Sequence, residues 1–277
     1  MKLYLSAALT TGTIKPLWNE YAKHNSIETA MKVFLAGGIG KPFVVKQHEP
    51  KCEIYLLESF FYIKEAEWLH KLIPTFRDFL LDSGAFTFMS NKAKTADWNR
   101  YVDDYAEFIN RHNIQYFFEL DIDAVVGLAE VLRLRKRLEA RTGKQPIPVW
   151  HRSRGKQAWL DLCNEYKYVA IGGIVTGEIT KKDFPVFTWF LNEAAQRGAR
   201  VHGLGFTGYN DLHRYKFYSV DSTGWVYGNR GGFLYRFNGR DLDKIDVPAN
   251  HRMKSRETAI HNFNEWVKFM RYADKHL

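Results

Sequence analysis

"IQYFFELDIDAVVGLAEVLRLRKRLEART", residues 114–142, holds one complete repeat of the architecture. The run "IQYFFELD" (114–121) has the apolar and aromatic composition of a buried strand and stops at a carboxylate, Asp121. After a second acid, Asp123, the stretch "VVGLAEVLRLRKRLEART" (125–142) is amphipathic and rich in helix formers. A strand, a polar end and a helix in that order make a βα unit, the piece from which parallel sheets are built.

The same order recurs on both sides of it. Strand-like runs lie at "KVFLAG" (32–37), "EIYLLES" (53–59), "DFLLDS" (78–83), "IPVWH" (147–151), "YVAIGG" (168–173), "RVHGLG" (200–205) and "FYSVDS" (217–222). Amphipathic segments such as "ADWNRYVDDYAEFINRH" (96–112) separate them, and "ETAIHNFNEWVKFMRYADKH" (257–276) reads as a closing helix. About eight such units over this length predict an α/β protein, a (β/α)8 barrel of the TIM type. The barrel is expected to be a single domain over 1–277. One run is then left over, "KLYLSA" (2–7), and residues 1–30 are read as an N-terminal addition.

In such a barrel the chemistry gathers at the C-terminal ends of the strands. Asp82, Asp121, His151, Gly172, Gly203 and Asp221 all end strand-like runs. Two carboxylates over one mouth, Asp82 in "LDSGAFT" and Asp221 in "FYSVDSTGW", are what glycosidic chemistry requires. One attacks the anomeric carbon and the other moves a proton. Each also fits a turn or cap on its own. Of Asp121 and Asp123, strand alternation lets only one point inward, and Asp121 comes first. A carboxylate there accepts from the N–H groups of a guanine-like base, with metal binding or helix capping by Asp123 as the alternative. The glycines of "IGGIVTGE" (171–178) and "HGLGF" (202–206) allow a flat ligand close to the backbone, or simply make a turn.

Forty Lys and Arg against 31 Asp and Glu leave a formal charge of +9, which favours a polyanionic partner. "GNRGGFLYRFNGR" (228–240) sets Arg230, Arg236 and Arg240 among Tyr235 and Phe237, a pattern suited to phosphates and stacked bases or to a solvated hairpin. No G-x-x-x-x-G-K-S/T occurs, so a P-loop is not indicated. Two distant cysteines and histidines without ligand spacing predict no metal site, and nothing calls for a cofactor. The absence of long apolar runs predicts no membrane partner, and the N-terminal stretch does not read as a signal peptide. A reducing, cytoplasmic setting is expected.

Taken together, "LDSGAFT", "IGGIVTGE" and "HGLGFTGYNDLHRYKFYSVDST" resemble three motifs of the tRNA-guanine transglycosylase superfamily, in the same order and at similar spacing, over roughly residues 78–230. The resemblance implies Asp221 as nucleophile on C1′ and Asp82 as general acid/base. Phe86 would stack on the base, and Ser83, Asp121, Gly172, Gly173 and His151 would recognise it. His151 stands where the family has Gln, and His202 where it has a Met flanking the base. The family's Cys-x-Cys-x-x-Cys and His zinc module, which helps hold tRNA, is missing. The short, zinc-free chain looks more like the virus-encoded, DpdA-type enzymes that place 7-deazaguanines in DNA, which act in the cytoplasm of a host cell. The expected partners are therefore DNA and a free 7-deazaguanine base. The alternatives are tRNA as the polymer, a nucleoside hydrolase or DNA glycosylase, and a catalytically silent nucleic-acid-binding barrel.

Overall fold

The strand-like runs do form a sheet, but its composition differs from the expected one. A computed structural model describes residues 1–5, 52–85, 96–206, 209–225, 232–247 and 255–277. Eight strands make one sheet: β1 (Lys2–Leu5), β2 (Cys52–Ser59), β3 (Phe76–Asp82), β4 (Tyr116–Phe117), β5 (Val149–Trp150), β6 (Tyr168–Ile171), β7 (Arg200–Gly203) and β8 (Ser219–Ser222). Their order is β4-β3-β2-β1-β8-β7-β6-β5, and every pairing is parallel. Just beyond the two edge strands, Phe118 and Ile147 form a parallel bridge.

The reading of residues 1–30 as an addition fails at its first strand. Lys2–Leu5 lies inside the sheet, with Leu5 opposite Leu56 and with Lys2 to Leu5 opposite Ser219 to Ser222. The physical reason is burial on both faces, since Leu3 and Tyr4 are both fully covered. The run "KVFLAG" (32–37), counted as a strand, lies outside the described residues.

Helices cover the sheet where the pattern placed them. α1 (Phe60–Ile63) and α2 (Glu67–His70) are single turns after β2. α3 (Trp98–Arg111) begins where the Asp97 side chain accepts the Arg100 amide, and it buries Val102, Tyr105, Ala106 and Ile109 along one stripe. The predicted helix at 125–142 is split into α4 (Asp123–Val126) and α5 (Leu128–Thr142), because Gly127 takes φ +83° between them. α6 (Gly155–Glu165), α7 (Phe187–Gln196) and the single turn α8 (Tyr209–Leu212) follow. Trp159 and Trp266 are wholly buried, and each contributes roughly 2–3 kcal/mol by leaving water.

Beyond the sheet, an antiparallel hairpin of β9 (Phe233–Phe237) and β10 (Leu242–Asp246) lies against the closing helix α9 (Ser255–His276). Asn262 and Glu265 of α9 accept the amides of Tyr235 and Phe237 at 2.7 Å each, completing the edge of β9 from the helix side.

The N-terminal ends of the strands close around Lys2. Its ammonium lies 2.6 Å from Asp78 and over the rings of Tyr55, Tyr116 and Tyr218 at 5.7, 5.8 and 5.2 Å. Tyr4 also donates to Asp78 at 3.2 Å, and Asp274 takes both Tyr55 and Arg77 at 2.6 Å.

Candidate active site

The opposite, C-terminal ends of the strands carry the candidate chemistry. β3 stops at Asp82 because the next residues turn sharply. Gly84 adopts φ +71°, and a Cβ there would meet Ser59 Oγ at 2.5 Å and Phe61 Cβ at 2.6 Å. The turn aims the Gly84 amide at Asp82 Oδ2, 2.9 Å away. Burial drives the Asp82 carboxyl up to about 6, the Gly84 amide opposes that shift, and the charges of Asp121 and Asp221 add to it. Three carboxylates from β3, β8 and the end of β4 therefore share one field.

Asp221 is 8% exposed and is held from below and from the side. The Gly205 amide donates to its Oδ1 at 2.6 Å, from a turn that Gly205 makes at φ +66°. His202 Nε2 lies 3.3 Å from the same oxygen. His202 Nδ1 in turn meets Ser219 Oγ at 2.7 Å, and Ser219 Oγ meets the Tyr168 hydroxyl at 2.5 Å. With the tyrosine donating to the serine and the serine to Nδ1, His202 carries its proton on Nε2 and donates to the carboxylate. Parallel register makes this possible, since His202 pairs directly with Ser219 and Ser219 shares its strand face with Asp221. His202 is fully buried between Tyr4 and Phe118, so it supports the carboxylate and does not flank a base.

The third group stands on β4, β5 and β6. His151 bridges two acids, with Nε2 2.7 Å from Asp121 and Nδ1 3.0 Å from Glu178. Burial works against its charge, but the bond to Asp121 and the one to Glu178 outweigh it and raise the imidazole to about 9. Both ring nitrogens are thus engaged by carboxylates, which leaves neither aimed at a base. Gly172 and Gly173 make room for this bridge. A Cβ on Gly172 would sit 2.8 Å from the His151 ring, and one on Gly173 2.8 Å from Glu178 Oε2. The close approach expected of a flat ligand is, at these two glycines, made by the protein's own side chains.

Asp123 does not turn away as strand alternation predicted. The chain beyond β4 is no longer extended, and Asp121, Asp123 and His151 offer oxygen and nitrogen atoms all within 4.8 Å of one another. Such a group has the composition of a cation site, which histidine spacing alone did not reveal. In the structure its positive charge comes from the His151 imidazolium and from Arg154, whose Nε donates to Asp123 at 3.0 Å. Arg154 Nη1 and Arg135 Nε also reach the wholly buried Glu119, at 3.3 and 2.5 Å.

Other expected contacts fall elsewhere. Ser83 is buried, its carbonyl taking the Tyr101 hydroxyl at 2.6 Å and its Oγ the Ala85 amide at 3.4 Å, so its own turn consumes it. Phe86 and Arg230 lie outside the described residues. Tyr235 is buried edge-on against Trp266 and Phe237 lies beside Tyr272, so neither presents a face for stacking. Arg236 and Arg240 are exposed and face the hairpin's own acids, Asp243 at 3.4 Å and Asp241 at 3.8 Å. Asp241 also meets His213 at 3.2 Å, beside Tyr272 of the helix end whose Asp274 serves the N-terminal strand ends. That hairpin turn is therefore remote from Asp82 and Asp221. Glu178, Ser219 and Tyr168 were given no individual role in the sequence, although Ser219 and Asp221 at alternate positions of one strand were the available signal.

No family model and no curated protein matches the chain. Among solved structures, the carboxyl transferase domain from Rhizobium etli pyruvate carboxylase with 3-bromopyruvate aligns at 10% identity and a TM-score of 0.44. The alignment covers 97% of this chain and 48% of that one, so the chain spans about half that length. A likeness this distant carries no argument about activity.

Proposed function

We propose that the chain is a base-exchange transglycosylase that replaces guanine in DNA with a 7-deazaguanine through a covalent aspartyl-glycosyl intermediate. The proposal includes closure of the sheet into a single-domain (β/α)8 barrel through the Phe118–Ile147 bridge between the edge strands. The observation that carries the chemistry is Asp82, a carboxyl raised to about 6 within the field of Asp221. Two carboxyl groups whose environments separate their tasks make an acid and a nucleophile.

The steps follow from that division. Asp221, its Oδ1 steadied by the Gly205 amide and His202, attacks C1′ of the target nucleotide. The C1′–N9 bond breaks, and Asp82 gives its proton to the departing guanine. A free 7-deazaguanine then gives its N9 proton to Asp82, attacks C1′ and displaces the Asp221 carboxylate. One glycosidic bond replaces another, so the cycle needs no redox cofactor or nucleoside triphosphate. The choice of DNA over tRNA rests on the missing cysteine cluster.

Incubation with guanine-labelled duplex DNA and, separately, with tRNA, each with a 7-deazaguanine, tests the reading by nucleoside mass analysis. Label release with incorporation into DNA is expected. Guanine release without incorporation would make the protein a glycosylase, and incorporation into tRNA alone would change the polymer but leave the chemistry. No helix among the described residues is long and apolar enough to cross a membrane, and the cytoplasmic setting remains part of the proposal.

A further inference from the structure

The turn after β6 presents an apolar side chain to solvent at the edge of the site. Val175 is 75% exposed, and the atom closest to a Cβ built on Gly205 is Val175 Cγ2, at 2.2 Å. Gly205 is the residue whose amide holds Asp221. The turn is tied to itself: Ile179 donates to the Gly173 carbonyl at 3.0 Å, Thr176 Oγ1 to the same carbonyl at 3.2 Å, and Gly177 to Ile174 at 3.3 Å. Glu178 at its base is fixed by His151 and by the Ser153 amide at 3.1 Å. The valine thus stands on a braced tip over Gly205, beside the proposed nucleophile, with most of its side chain in solvent.

Cations follow this tip in the chain. Lys181 and Lys182 open the short 3-10 segment Lys181–Val186, both are exposed, and among the described residues neither has an ion-pair partner. The one acid of that segment, Asp183, is consumed by the Thr180 amide and hydroxyl, at 2.9 and 2.8 Å, and by Arg152 at 3.1 Å. Arg152 itself adjoins His151 and keeps 61% of its side chain in solvent. By contrast, the arginines of α5 are neutralised, Arg133 by Glu130 and Arg137 and Arg141 by Asp103. Net charge alone thus did not locate the surface, whereas the pairing pattern does.

We infer that the β5–β6 rim is the duplex-docking surface. Lys181 and Lys182 hold phosphates beside the target, and Val175 enters the stack as the wedge that fills the gap left by a flipped nucleotide. Cations next to a protruding apolar side chain fit a duplex opened at one step, where charge meets the backbone and the wedge replaces the lost stacking. The inference rests on the proposed DNA chemistry but is tested apart from it.

Binding of a fluorescent guanine-containing duplex is measured by anisotropy over a range of salt, with 2-aminopurine beside the target guanine reporting unstacking. In K181A/K182A the slope of log affinity against log salt should fall by roughly 0.9 per lost contact, or about two units in all. V175A should leave that slope unchanged and reduce the 2-aminopurine signal about tenfold. An unaltered slope in the lysine variant, or an unaltered fluorescence signal in V175A, would overturn the inference, as would a wild-type protein that does not bind duplex. Base exchange is scored on the same samples. If it is absent while slope and fluorescence respond as stated, the exchange chemistry falls and the docking surface stands.

Discussion

The two ends of the sheet treat charge in opposite ways. At the N-terminal ends Lys2 faces Asp78 at 2.6 Å inside a ring of tyrosines, and Arg77 faces Asp274 at the same distance. At the C-terminal ends the charges of Asp121 and Asp221 reinforce the rise of Asp82 to about 6. One end spends its polar groups on holding strands together. The other keeps carboxylates together that repel one another, an arrangement that costs stability and is typical of functional sites.

The contrast can be broken most directly at Asp221. Asp221→Asn removes the proposed nucleophile and should cost at least about a thousandfold in base exchange, while circular dichroism and the melting temperature stay near the parent values. Activity within about tenfold of the parent would take Asp221 out of that role. Asp82→Asn should lower exchange by about a hundredfold or more and yet stabilise the protein. The folded Asp82 holds its proton up to about 6, against about 4 in an unfolded chain, so its contribution to stability is full below pH 4 and is lost as pH rises to about 6. The asparagine variant should therefore gain on the order of 1–3 kcal/mol at pH 7 and flatten the decline in stability across that window, as read by denaturant titration.

The other end should respond the opposite way. Asp78→Asn leaves Lys2 without its carboxylate and should destabilise by about 1–2 kcal/mol, with the exchange rate per folded molecule unchanged. A change in catalysis there would mean that the two ends are coupled. The smallest effect is expected in the hairpin. Arg236→Ala with Arg240→Ala should leave stability within about 0.5 kcal/mol and the salt slope of duplex binding unaltered, because these exposed arginines face local acids far from the mouth.

The alternation of strand-like runs and amphipathic stretches was enough to expect a parallel sheet, because a strand buried on both faces is a short apolar run. It did not say which runs to count. "KLYLSA" looked surplus because "KVFLAG" completed the set, and only the pairing of Lys2–Leu5 with both β2 and β8 shows that the first run belongs inside. Strand ends were legible for the same reason that turns are: Asp82 precedes a glycine that must adopt a positive φ. What lies behind a strand end was not legible. The Tyr168–Ser219–His202–Asp221 chain draws on three strands, and His151 meets Asp121 and Glu178 from two others, so no local spacing announces either.

The seat of β1 also sets a schedule for the folding chain. Its partners on one side, Ser219–Ser222, are synthesised more than two hundred residues after it, so on the ribosome this strand waits through most of translation with one side open. Closing a loop of that length precedes any reward from the pairing, which makes the β1–β8 seam a late and slow event and the earlier nascent chains prone to capture by chaperones. A nascent chain arrested before β8 emerges from the ribosome should accordingly leave Lys2–Leu5 open to protease, and release of the full chain should close it.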